Sequence, residues 1–295
     1  MRSRGFALIL VVWILVLLSI MAAGFNSLVR VETRSAGWSA EKVQFQGAAM
    51  AAIHRAILGL STKDSQRDWQ VDGVPRKWQW QGFDVELKLL NEAAKVDLNY
   101  APQVVLSRLF GLLLPEADVE ALTGALRDWR DRDDQVSEHG AEDSAYRAAG
   151  LARLPANAPL TSIAELTQVL GFDAQTVEVL RPHVTVFARS TKLDASTASA
   201  TVLKALPEAD PDLVDAFVAQ RTQSYANGEK PDFSLLGVGP QWIDTVRRPG
   251  VLSIEAVVTK DGHAHRERAV VRLQSSRGPY QVLAWDTLME AGTHP

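Results

Sequence analysis

The densest concentration of side chains able to do chemistry lies in the run Asp128-Trp129-Arg130-Asp131-Arg132-Asp133-Asp134 and, shortly after it, Glu138-His139-Gly140-Ala141-Glu142-Asp143. Residues 128–143 hold seven acids against two arginines. A hard divalent cation such as calcium takes roughly six to eight oxygen ligands, supplied largely by carboxylates on flexible loops. Asp131 and Asp133 alternate and can converge from a loop, and Glu142 and Asp143 can close on them from the next segment. The spacing is not that of an EF-hand, which needs alternating acids, a glycine and a terminal glutamate. Two readings stay open, a calcium site and a solvated acidic loop, and charge alone favours the second.

Other chemistries find less support. The six histidines, at 54, 139, 183, 263, 265 and 294, show no paired metal-ligand spacing. His263 and His265 flank a hairpin turn, where solvated side chains are the default. No phosphate loop and no nucleophile elbow occurs. The chain has no cysteine, which excludes zinc-thiolate sites, thiol catalysis and disulfide staples. An exported calcium-dependent hydrolase would have to be built on the acidic loop alone, so catalysis is not expected.

The elements that must hold this loop begin with an unusual N-terminus. Arg2 and Arg4 precede Gly5, and Phe6 to Val29 carries no charge before Arg30. At about 1.5 Å per residue this stretch spans about 36 Å as a helix, enough to cross a bilayer. The basic flank orients its N-terminus toward the cytoplasm. Ala22-Ala23-Gly24 would suit cleavage of a secretory signal, but the apolar positions continue at helical spacing through Val31, Trp38, Phe45, Ala49, Ile53, Ala56 and Leu60. One long helix to about Leu60 is expected, lipid-facing first and amphipathic second. Overall the composition is that of a globular protein, with 46% hydrophobic and 22% charged residues. A net charge of −4 gives no general attraction to nucleic acid.

Alternation predicts strands at Trp78–Trp80 and Phe83–Leu89, and again at Val251–Thr259, Ala269–Leu273 and Tyr280–Trp285. Lys260-Asp261-Gly262 and Gly278-Pro279 supply turns between the last three. A long helix on a small antiparallel sheet makes an α+β domain. Asn91 to Pro249 reads almost wholly helical and is too long for a loop, so it forms an insert. The insert repeats itself. Lys95-Val96-Asp97-Leu98-Asn99 is echoed by Lys192-Leu193-Asp194-Ala195-Ser196, and Leu114-Pro115-Glu116-Ala117-Asp118 recurs unchanged from Leu206 to Asp210. Leu170-Gly171 leading to Arg181-Pro182 matches Leu236-Gly237 leading to Arg248-Pro249. Ser162 with Glu165 reads as a capping box, and Pro102 and Pro211 suit first-turn positions. The glycine-containing hairpins at 170–173 and 236–239 occupy the place that binds DNA in helix-hairpin-helix folds, yet Asp173 and Glu178 flank the first, which favours a packing module.

The short basic leader ending in Gly5, the following Phe6 and the continuing helix resemble type IV pilins and type II secretion pseudopilins. The resemblance implies cleavage after Gly5 by a prepilin peptidase and N-methylation of Phe6. Those families carry glutamate at the fifth mature position, where this chain has Leu10. A carboxylate in an apolar helix is costly unless it meets a partner such as a neighbouring subunit's N-terminal amine. A subunit with nothing above it needs no such carboxylate, and its absence resembles minor subunit K at a filament tip. Asp128-Trp129 with Asp131 and Asp133, then Gly140-Ala141-Glu142-Asp143, Tyr146, Asn157, Pro159-Leu160, Ser162 and Glu165-Leu166, is similar to the signature of that subunit family.

The resemblance covers nearly the whole chain and implies a pseudopilin fold with a helical insert of two SAM-like, helix-hairpin-helix-like units. The expected organisation is a leader (1–5), a transmembrane half-helix (6–29), an α+β domain (30–93 with 250–295), and helical units at 94–188 and 191–249. Calcium is implied at Asp131, Asp133, Glu142 and Asp143, with Asp128, Asp134 and Glu138 as further candidates. Arg130 stands where an apolar residue is expected, and the stretch just before Asn157 lacks an expected aromatic. The implied function is that of a minor pseudopilin, which assembles with other minor pseudopilins at the tip of the periplasmic pseudopilus to initiate or cap it during export of folded proteins. Its partners are then those subunits, the peptidase and inner-membrane lipid, with no nucleic acid. Its place is the bacterial inner membrane, single-pass, with the N-terminus cytoplasmic and the bulk periplasmic. The alternatives are a membrane-anchored helix-hairpin-helix DNA-binding protein and a type IV pilus minor pilin.

Overall fold

The computed structural model describes residues 4–61, 69, 71–245, 250–275 and 278–288; within these, side chains are described except at 4–10, 20, 22–40, 274–275, 278–279 and 288. Helix α1 runs Arg4–Ser61. Side chains from Val11 to Leu18 are all apolar and all exposed, on every face of the helix. Ser19 fits among them by returning its hydroxyl to the Leu15 carbonyl at 2.8 Å. Among the described residues no helix is long and apolar enough to cross a membrane. Residues 1–3 lie outside what is described, as do most side chains of the 6–29 segment, Phe6 and Leu10 among them.

The second half of α1 is amphipathic. Phe45, Ala48, Ala49, Ala52, Ile53, Ala56 and Ile57 form a buried stripe whose alanines let the helix approach closely. It packs on a five-stranded antiparallel sheet of order β1-β2-β7-β8-β9, built from β1 (Arg76–Trp80), β2 (Phe83–Asn91), β7 (Val251–Lys260), β8 (His263–Ser275) and β9 (Gly278–Leu288). Val85, Leu87 and Leu89 alternate toward the helix beside Leu252, Ile254, Ala256 and Val258. The opposite face carries charge in cross-strand order, with Lys88 beside Glu255, then Arg268, then Asp286. β8 begins at His263, six residues before the alternation signalled it, because Arg266 and Arg268 on the polar face hide the strand pattern. His265 is not free in solvent: it lies 3.1 Å from the buried Glu267 carboxylate, which also accepts the Trp285 indole N–H at 3.0 Å.

Between β2 and β7 lies the insert, with an apolar core separate from that of the sheet. It is not wholly helical. β3 (Val96–Asp97) pairs in parallel with β4 (Val184–Thr185), and β5 (Leu193–Asp194) pairs in parallel with β6 (Ile243–Asp244). The repeated sequences thus have repeated geometry, each segment starting and ending on a two-residue parallel ladder. Between β3 and β4 lie α2 (Gln103–Leu113), α3 (Val119–Arg130), α4 (Asp143–Ala148) and α5 (Ala174–Leu180); between β5 and β6 lie α6 (Ala200–Lys204) and α7 (Pro211–Ala226). The recurring Leu-Pro-Glu-Ala-Asp ends on a helix cap both times: Asp118 accepts from the Ala121 amide at 3.0 Å and Asp210 from the Asp212 amide at 2.9 Å. Pro211 opens α7 in its first turn, while Pro102 is the residue before α2. The capping box expected at Ser162 is absent. Ser162 makes no side-chain cap, the segment Ile163–Gln168 is a 3₁₀ helix, and Glu165 accepts instead from the amide (2.8 Å) and hydroxyl (2.9 Å) of Thr161.

Sheet and insert meet over buried polar groups. Glu92, fully buried, receives Lys95 Nζ at 2.8 Å together with the hydroxyls of Ser253 on β7 and Thr185 on β4. Burial alone would raise its pKa, but Lys95 and these donors outweigh that and hold it below the ordinary 4.5. One residue earlier, Asn91 donates to Asp194 of β5 at 2.6 Å. The end of one strand is therefore bound to both repeats.

Candidate functional site

The acidic loop leaves the C-terminus of α3. Asp128, in the last turn of that helix, is fully buried and accepts from the Ser137 amide at 3.1 Å, which folds the loop back over α3. Two glycines allow this. A Cβ at Gly140 would stand 2.0 Å from Asp128 Oδ2, and one at Gly124 would stand 2.4 Å from the His139 carbonyl. Trp129 and Tyr146 are buried beneath, their rings 6.0 Å apart, and the Tyr146 hydroxyl accepts from the Leu170 amide at 3.0 Å. The departure at Arg130 has a structural use: its guanidinium donates to the Leu98 carbonyl, just past β3. In the second repeat Arg221 makes the matching bond to the Ala195 carbonyl at 2.7 Å. Burial disfavours the charged form of both side chains and lowers their pKa.

Four side-chain oxygens in this region are buried without a hydrogen-bond partner: Asp131 Oδ1, Glu142 Oε1, Ser137 Oγ and Asn157 Oδ1. Asn157 is oriented by donating its amide to Asp134 at 2.9 Å, leaving its oxygen free. The carboxyl of Glu142 is pushed up to about 7, first by burial and then by Asp128, Asp131, Asp134 and Asp143. Asp131 is raised by burial, by Asp133 and by Asp128. The remaining sequence candidates are differently placed. Asp133 is exposed and accepts from the Gln135 amide at 2.9 Å, and Asp143 pairs with Arg147 at 2.8 Å in the first turn of α4. Glu138 is exposed, and His139 lies 3.2 Å from Glu120. Among the described residues no three Asp, Glu, His or Cys side chains are gathered so as to hold an ion by themselves. The unpartnered oxygens are instead two carboxylates with a hydroxyl and an amide, a mixed hard-oxygen set that suits calcium chemistry. Sequence spacing passed over Ser137 and Asn157 because neutral oxygens carry no charge signal.

The first glycine hairpin packs against α3. Gly171 has φ +90°, and a Cβ there would meet Leu122 at 2.9 Å; Phe172 beside it is buried. Arg181 pairs with Glu178 at 2.7 Å, so this hairpin offers no unpaired cation for a phosphate.

Residues 85–189, from β2 through β4, match the family described as type II secretion system (T2SS), protein K. Type II secretion system protein K of Klebsiella pneumoniae is 27% identical over 241 residues, covering 73% of each chain. The protein K of Pectobacterium carotovorum is 33% identical over 137 residues, 46% of this chain and 40% of the relative. The fold is similar, with TM-score 0.60 and 20% identity, to a chain in the crystal structure of the GspK-GspI-GspJ complex of the enterotoxigenic Escherichia coli type 2 secretion system, covering 88% of this chain and 100% of that one. Family signature and sequence relatives thus agree in likening the chain to protein K of type II secretion systems, and its fold is similar to that of a chain in the GspK-GspI-GspJ complex.

Proposed function

We propose that this chain is a membrane-anchored minor pseudopilin that joins other minor pseudopilins at the tip of the periplasmic pseudopilus and initiates or caps it. The observation that carries this reading is the combination of a 58-residue α1, apolar then amphipathic, with a bulky insert raised on the sheet it supports. The apolar half can lie in the inner membrane, with its N-terminus cytoplasmic and the rest periplasmic. The insert is too large to repeat along a filament, and Leu10 removes the carboxylate with which a subunit would meet a neighbour above it. In this reading a prepilin peptidase cuts after Gly5 and Phe6 becomes the methylated N-terminus. Residues 94–188 and 191–249 act as two SAM-like units carried by an α+β domain of 30–93 and 250–295.

The acidic loop holds calcium in this reading, through Asp131 and Glu142 with Asn157 and Ser137, and with Asp133 and Asp143 as outer carboxylates. The ion would neutralise crowded carboxylates and fasten the loop to α3 and α4. Mass spectrometry of the full-length protein taken from its own membrane tests the assembly role. A chain beginning at Phe6 with one added methyl is expected; a chain beginning after Ala23 or Gly24 would remove the helix the filament needs.

A further inference from the structure

The two edges of the sheet are unlike. β1 is five residues long and carries Arg76 and Lys77, the charge with which natural edge strands discourage pairing. β9 is eleven residues long, and its segment Tyr280–Thr287 contains one charge, Asp286, and no proline or lysine. Its outer edge is unpaired among the described residues, and Val282 on it is 42% exposed. A long, unguarded edge of this kind is a template for an added strand.

The first half of β9 opens into a cleft of about 420 Å³ between sheet and insert. From the sheet it is lined by Arg272, Gln281 and Leu283; from the insert it is lined by Tyr100, Phe187 and Arg189. Its lining holds two cations and no anion, in a chain whose net charge is −4. Neither arginine side chain has an ion pair or hydrogen-bond partner among the described residues, in contrast to Arg76, Arg147, Arg181 and Arg268. Arg189 is held at φ +53°, a conformation uncommon outside glycine, by its amide bond to buried Asp97 at 2.8 Å. The Glu92 network fixes the two walls to each other, so the cleft is preformed.

We propose that this cleft receives an extended acidic segment of a partner protein, which adds to β9 as a further strand and presents carboxylate to Arg189 and Arg272. Backbone hydrogen bonds along the edge give the affinity, and the arginines select for acid and set the register. The proposal does not depend on the assembly role: it concerns the surface, whichever protein supplies the strand.

The test uses the full chain in detergent and a short fluorescent peptide alternating valine and glutamate, with a valine–glutamine twin. The glutamate peptide should bind and should slow amide exchange along Tyr280–Thr287. Arg189→Glu and Arg272→Glu should each weaken it by about tenfold or more, since charge-assisted bonds are lost. Arg266→Glu, the same charge change on an exposed position outside the cleft, should not. Arg189 lies in the connection between β4 and β5, outside any helix or strand, so its variant tests the cleft even where the change at Arg272 harms folding. Equal binding of the two peptides, equal loss in Arg266→Glu, or exchange protection elsewhere than β9 would overturn the proposal.

Discussion

Glu142 is held in a state that its surroundings oppose. Its carboxyl is buried beside four other acids and titrates at about 7 against an ordinary 4.5, so in the ionised form it works against the fold. Glu142→Gln should therefore raise the melting temperature in chelator above neutral pH, while abolishing any gain that calcium gives the wild type. Thermal unfolding with and without calcium checks both halves; destabilisation in chelator would show that the repulsion is already relieved. Asp131→Ala and Asp133→Ala should lower the melting temperature more in calcium than in chelator, with Asp131, whose buried oxygen lacks a partner, the larger. Spacing made these acids visible as a group but not their directions. Asp133 turns to the Gln135 amide and Asp143 to Arg147, because a loop and a first helical turn aim side chains by local hydrogen bonds that charge counting does not contain. Arg130 was legible as a departure, and only the fold supplies its carbonyl partner.

At the scale of elements, the stretches with strong periods were the readable ones. The stripe Phe45, Ala49, Ile53 and Ala56 is buried as its spacing implied, and β2 alternates as written. Ile53→Ala should cost about 2–5 kcal/mol, because a fully buried side chain between helix and sheet leaves a cavity that two stiff elements close poorly. Denaturant unfolding measures this. Elements with too few residues to show a period escaped: the two parallel ladders are two residues each, and Ile163–Gln168 winds as 3₁₀. The repeats of sequence did announce that two similar paths exist, but the pairing of each path's ends is long-range. Gly124→Ala tests how closely α3 and the acidic loop are pressed together. Its Cβ would meet backbone, which cannot rotate away, so a loss of about 1–3 kcal/mol is expected despite alanine's better helix propensity.

For the molecule as a whole, the Glu92 network decides how the insert stands on the sheet. Its pKa is lowered on folding, so its contribution is complete above 4.5 and fades as pH falls through the folded value. Acidification should weaken the joint before the two apolar cores, seen as earlier amide exchange at β3, β4 and the end of β2. Lys95→Met should be worse than the double change with Glu92→Gln, since it strands a buried carboxylate at a cost of about 3–5 kcal/mol. The alternation of β2 and β7 identified both strands, but not that they are neighbours. That neighbourhood also governs how the chain reaches its fold. Glu92 and Ser253 are 161 residues apart, yet β2, which ends just before Glu92, lies beside β7. Closing so long a loop before anything else has formed is slow, because contacts of high sequence separation are bought with chain entropy. Once the insert has condensed around its own core, its two ends are already together and the remaining step is the formation of an ordinary hairpin. Refolding should then show the insert protected first and the central strands zipping after it, and a change that delays the insert, such as Trp129→Ala, should delay the sheet it never touches.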